Sequence, residues 1–156
     1  MTAIAYDATI TFMTIYTIGY AKKTAKTFFE TLKVNRIDTL IDVRLYNSSQ
    51  LAGFCKGRDL EYFLAQICGC EYIWAVQFAP SAELLGGYKD GKITWSQYEE
   101  NYDKLIAARG ELDFFGNFHG KRVCLLCAEA TAEHCHRRLL AERVAETFEG
   151  VVVVHL

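Results

Sequence analysis

Residues 125–144 read LLCAEATAEHCHRRLLAERV. An apolar run enters this stretch and a helical pattern leaves it. Between them lie Cys127, Glu129, His134, Cys135, His136 and Arg137. A strand, a polar turn and a helix in that order make half of a βαβ unit. The fold then depends on whether the rest of the chain repeats the unit.

It does. IYTI (15–18) reads as a short buried strand, and TAKTFFETLKVN (24–35) follows with apolar residues at helical spacing. DTLIDV (38–43) is a second strand, and 44–57 is a polar, aperiodic loop. RDLEYFLAQIC (58–68) is a helix, EYIWAV (71–76) a third strand, and a long connection runs through LLGGYKDGK. WSQYEENYDKLIAA (95–108) is a helix and RVCLLCA (122–128) the fourth strand. A helix over 132–148, capped by Thr131, leads to VVVVHL (151–156). The strands are continuously apolar rather than alternating, as a sheet covered on both faces requires. The pattern predicts an α/β fold: a three-layer α/β/α sandwich with a mostly parallel sheet of about five strands. Residues 14–156 form one domain, and 1–13 are read as an N-terminal extension or an extra strand.

Composition narrows the function. The chain has 156 residues, 51% hydrophobic and 23% charged, with a net charge of −2. That is globular, not disordered, and it does not suit a strongly basic nucleic-acid binder. No apolar run reaches the ~18–20 residues of a membrane helix. The first residues lack a basic segment and a small-residue cleavage site, so a cytoplasmic protein without a membrane partner is expected. There the six cysteines are buried fillers, ligands or reactive thiols rather than disulfides. Cys68, Cys70 and Cys124 read as structural.

In parallel α/β sheets, ligands bind beyond the carboxyl ends of the strands. The unusual polar residues cluster there: Gly19 and Tyr20 after the first strand, Asp42 and Arg44 after the second, Cys127 and Glu129 after the fourth, and His155 at the end of the last. His134, Cys135, His136 and Arg137 open the final helix. The candidate catalytic residues are Cys127, Glu129, Cys135, His136 and Asp42. The candidate substrate-binding residues are Arg137, Arg44, Gly19 and Tyr20. Free N–H groups at a helix start and the forked guanidinium of Arg137 suit a small anion, and both favour a thiolate. No metal and no cofactor are expected. Cys124 and Cys127 point to opposite faces of a strand, and successive residues of a helix diverge by about 100°.

These motifs carry a resemblance. TIGY, LIDVR, Ser49, Phe54 and above all the LLCAE and CHR pair resemble the domain of unknown function 488 family, over about residues 14–155. The segment FAPSAELLGGYKDGKITWSQYEENY is similar to that of a subset of the family. The resemblance implies a compact α/β cytoplasmic protein and shared residues at Gly19, Asp42, Arg44, Cys127, Glu129, Cys135, His136 and Arg137. It also implies two departures: Tyr20 stands where many members have histidine, and Asn47 and Gln50 where they have proline and arginine. LIDVR with a strand-end cysteine is faintly similar to a rhodanese. However, residues 128–133, AEATAE, are acidic and lack the arginine that would stabilise a persulfide.

Three readings follow. The chain is an enzyme on a small anionic substrate, such as a nucleotide or another phosphorylated compound, with Cys127 or Cys135 as nucleophile or with His136 and Glu129 exchanging protons. Alternatively it is a non-catalytic nucleotide or nucleic-acid binding module, with Lys22, Lys23, Lys26, Lys56 and Arg58 adding charge and Tyr20, Tyr46, Phe54 and Trp74 stacking a base. Or Cys127, Glu129, His136 and Arg137 form a buried structural network.

Overall fold

The computed structural model describes residues 13–156, and the N-terminal residues 1–12, read above as an extension or extra strand, lie outside the described residues. Five strands form one sheet in the order β3-β2-β4-β1-β5. They are β1 (Met13–Gly19), β2 (Thr39–Asp42), β3 (Glu71–Trp74), β4 (Arg122–Cys127) and β5 (Val151–His155). Every pairing is parallel, so the chain is an α/β protein with the expected three-layer architecture.

Alternation along the strands builds two cores. Ile15, Ile41, Val123 and Leu125 face one way, beneath α4 (Trp95–Arg109) and α5 (His136–Thr147), with Tyr98, Tyr102, Leu140 and Val144. Tyr16, Ile18, Leu40, Cys124 and Leu126 face the other way, against Phe28, Phe29 and Leu32 of α1 (Ala25–Val34) and Leu60 of α2 (Gly57–Phe63). A π turn, Leu64–Cys68, extends α2. Cys124 is therefore a buried core residue, as its place in the apolar strand implies.

Local signals set the helix ends. The Thr24 and Ser81 side chains cap α1 and α3 (Ala82–Lys89), and Thr94 with Gln97 makes a full capping box on α4. Two sequence expectations need correction. The stretch around LLGGYK is a helix, α3, not an open connection. The last helix starts at His136, not 132, and its N-cap is Cys135 in an extended conformation (φ −139°, ψ 138°) without a side-chain cap; Thr131 is not the cap.

The strand order explains where a site forms. The chain steps from β1 to β2 to β3 toward one edge with α1 and α2 on one face. It then returns through β4 to β5 with α3, α4 and α5 on the other face. Neighbouring strands β1 and β4 thus send their following segments to opposite faces. A crevice opens above their carboxyl ends.

Candidate active site at the carboxyl edge of the sheet

That crevice is a cleft of about 750 Å³. Cys127, Cys135 and His136 lie against it, Tyr20, Arg44 and Glu129 stand on its walls, and Lys89, Trp95, Tyr98 and His134 close the side formed by α3 and α4. Cys127 is the last residue of β4, Cys135 is the N-cap of α5 and His136 is its first residue. Because Cys135 is extended and lies outside the helix, its side chain is not splayed from that of His136 by the helical turn. The two sulfurs and a ring nitrogen of His136 all lie within 4.8 Å of one another, and all three residues are buried. This overturns the geometric objection raised from sequence, which assumed a helix through residues 134–136. The objection stands for Cys124, which lies on the opposite face of β4.

Hydrogen bonds orient the histidine. Nε2 lies 2.8 Å from the Val43 carbonyl oxygen, which can only accept, so Nε2 carries a proton. Nδ1 faces Cys127 Sγ at 3.6 Å, and the Tyr102 ring packs on the imidazole at 5.5 Å between centroids. The thiols are made unequal. A hydrogen bond from Cys135 draws the Cys127 pKa below its usual value against the effect of burial, helped by the backbone N–H groups of Ala128 and Glu129 and the nearby Arg137 charge. The same bond, with burial, pushes the Cys135 thiol well up. One sulfur is therefore disposed to carry negative charge while the other keeps its proton.

The second wall is an ion pair. Arg44 donates from Nε to Asp42 Oδ1 at 2.8 Å and from a terminal nitrogen to Oδ2 at 2.6 Å and to the Cys55 carbonyl at 2.7 Å. The Tyr72 hydroxyl donates to Asp42 Oδ2 at 2.7 Å. Burial works against the Arg44 charge, but the hydrogen bond and attraction from Asp42 override it and raise its pKa. The Arg44 guanidinium also lies 5.5 Å from the centre of the Tyr20 ring, a cation–π contact that holds Tyr20 at the cleft mouth.

A match to the family model described as "Domain of unknown function DUF488" extends over residues 24–144. The chain belongs to the DUF488 family. No curated protein and no solved structure matches it.

In this DUF488 chain the sequence-predicted residues separate into three groups. Cys127, Cys135 and His136 form the cluster, and Tyr20, Arg44 and Glu129 line the cleft. Asp42, Gly19 and Arg137 lie behind it. Asp42 is fully buried and spent on Arg44 and Tyr72. Arg137, expected from sequence to offer a fork of donors to an anion, is fully buried too. One of its nitrogens donates to the Glu129 carbonyl at 2.8 Å, while Nε and the other terminal nitrogen have no partner among the described residues. Gly19 has a backbone reason: a Cβ there would sit 1.5 Å from the Glu129 oxygen.

Sequence reading passed over the aromatic wall. Trp95 stacks on Tyr98 at 5.0 Å and 19°, and Tyr88 packs on both. Trp95 and Tyr98 read as the apolar face of a helix and Tyr88 as part of a connection, and only the similarity of their segment to a family subset marked them. Of the aromatics singled out for base stacking, Tyr20 and Tyr46 line the cleft. Phe54 packs in the opposite core with Phe28 and Phe29. Trp74 is 46% exposed and donates to the Arg44 carbonyl. Among the described residues, no helix is long and apolar enough to cross a membrane.

Proposed function

We propose that this DUF488 chain is an enzyme that takes a small anionic substrate into the cleft and acts on it through the Cys127 thiol, with His136 receiving the thiol proton. One observation carries the reading: Cys127 Sγ faces His136 Nδ1 at 3.6 Å on the floor of a cleft at the sheet's carboxyl edge. With Nε2 committed to Val43, Nδ1 is the atom that takes the proton; the freed sulfur attacks an electrophilic centre of the substrate, and the group displaced from that centre leaves with the proton held on Nδ1. The uncapped start of α5, Lys89 and His134 favour an anionic group. Tyr20, Tyr88 and Trp95, half-buried on the cleft walls, suit a planar ring, which favours a nucleotide-like substrate. The cleft volume suits a small molecule, and a net charge of −2 disfavours long nucleic acid.

The alternative is a module that binds the same ligand without chemistry. Iodoacetamide labelling at neutral pH, followed by peptide mass spectrometry, separates the two. Cys127 is expected to react at least tenfold faster than Cys68, a half-buried thiol elsewhere whose pKa burial raises. His136→Gln, which leaves Nδ1's role unfilled, is expected to remove most of the difference. A nucleoside monophosphate is expected to protect Cys127. Equal reactivity of Cys127 and Cys68 would leave only the binding module, and protection without enhanced reactivity would support it.

A further inference from the structure

The same three atoms meet the requirements of a soft metal ion. We propose that Cys127 Sγ, Cys135 Sγ and His136 Nδ1 bind a single zinc ion, with the fourth position turned to the cleft.

Distance is the first argument. Tetrahedral zinc with bonds of about 2.0–2.3 Å sets its donor atoms roughly 3.4–3.8 Å apart. The Cys127–His136 separation is already 3.6 Å, and no pair in the cluster exceeds 4.8 Å. Closing on an ion therefore needs at most about 1 Å of side-chain movement.

Orientation is the second. A zinc-binding histidine commonly donates its other ring N–H to a carbonyl or carboxylate, which fixes the ring. His136 does this through Nε2 to Val43, and only Nδ1 is left toward the sulfurs. Backbone N–H groups of Ala128 and Glu129 reach the Cys127 sulfur and offset its charge.

Donor chemistry is the third. Two thiolates and an imidazole select zinc or another soft ion and reject magnesium and calcium. Three protein ligands leave one position for water or an anionic ligand, the arrangement of a site open to exchange. The open position also gives an anion a direct ligand site on the metal, a contact that Arg44, paired with Asp42, and Arg137, buried behind the wall, do not offer.

This inference rests on the cluster being functional, but it does not require a nucleophilic thiol. A metal-bound Cys127 cannot attack, so the thiol chemistry above belongs to the metal-free form.

The test uses the full chain, reduced and stripped with chelator, and titrated with cobalt(II) alone. A sulfur-to-cobalt charge-transfer band with tetrahedral visible bands should saturate at one equivalent and vanish on adding one equivalent of zinc. Cys127→Ala and Cys135→Ala should each lose stoichiometric uptake, and Cys68→Ala should keep it. If either cluster variant fails to fold, wild type still decides the matter. One equivalent of zinc should then slow iodoacetamide labelling of Cys127 and Cys135 at least tenfold and leave Cys68 unchanged. Absence of the band in wild type, or its survival in both cluster variants, overturns the zinc site. The two readings fail separately: fast labelling of metal-free Cys127 without cobalt uptake removes the metal and keeps the nucleophile. Cobalt uptake with slow metal-free labelling does the reverse.

Discussion

Among the described residues, Arg137 is the largest of the fully buried side chains, and the hydrogen bond that it makes there goes to a backbone atom, the Glu129 carbonyl. The structural-network reading from sequence counted Glu129 among its buried members, yet Glu129 is exposed. The two residues should therefore behave differently in denaturant unfolding. Arg137→Ala removes a large buried side chain and is expected to cost about 2–5 kcal/mol. Arg137→Met keeps the length and eliminates two unpartnered donors, so it is expected to be close to neutral or stabilising. Glu129→Ala is expected to stay within about 0.5 kcal/mol of wild type. Equal losses for Glu129→Ala and Arg137→Ala would restore the carboxylate to the network. Residue identity was legible in the sequence here and burial was not. Arginine at a helix start reads as a ligand contact, and only the packing of β1 against the loop after β4 turns it inward.

At the scale of elements, the carboxyl end of β2 is held by the Asp42–Arg44 pair, with exposures of 0% and 5%. Asp42→Ala leaves a buried guanidinium without its counter-ion and is expected to destabilise by about 3–5 kcal/mol. Replacing both, as Asp42→Ala/Arg44→Met, should recover most of that loss in the same unfolding measurement. A double variant no better than the single one would mean that Tyr72 and the Cys55 carbonyl, not the charge pair, hold this corner. Strands and long helices were legible because their apolar periods are long. Short α3 was not, because Gly86 and Gly87 inside it read as a loop. The start of α5 was misplaced because Thr131 looks like a cap while Cys135 supplies none. That four-residue shift is why the sequence reading argued against a shared metal at Cys135 and His136.

For the whole molecule, the carboxyl edge gathers charge that pH can unbalance. His155 Nδ1 shares a hydrogen bond of 2.7 Å with the buried Thr17 hydroxyl. Burial, then the charges of Arg137 and Arg138, push the His155 pKa below its usual 6.5, with Glu142 opposing. The fold thus prefers the neutral ring. Its contribution is complete above pH 6.5 and is lost as pH falls through the lowered folded value. Melting temperature should drop as the solution is acidified below that point, and His155→Gln should flatten this part of the curve while leaving the neutral-pH value nearly unchanged. Identical slopes would assign the acid sensitivity to other groups. The parallel three-layer plan and the gathering of these polar residues around one cleft at the sheet's edge were legible in the sequence, since both follow from apolar runs and from which polar residues end them. Strand order was not, because nothing in a local pattern tells β4 to enter between β1 and β2. That insertion also shapes how the chain matures. Until residues 122–127 leave the ribosome, β1 has no neighbour at all and β2 has only β3. The nascent protein therefore exposes unpaired apolar strands for most of its synthesis, and its sheet closes late, around the strand that also delivers Cys127.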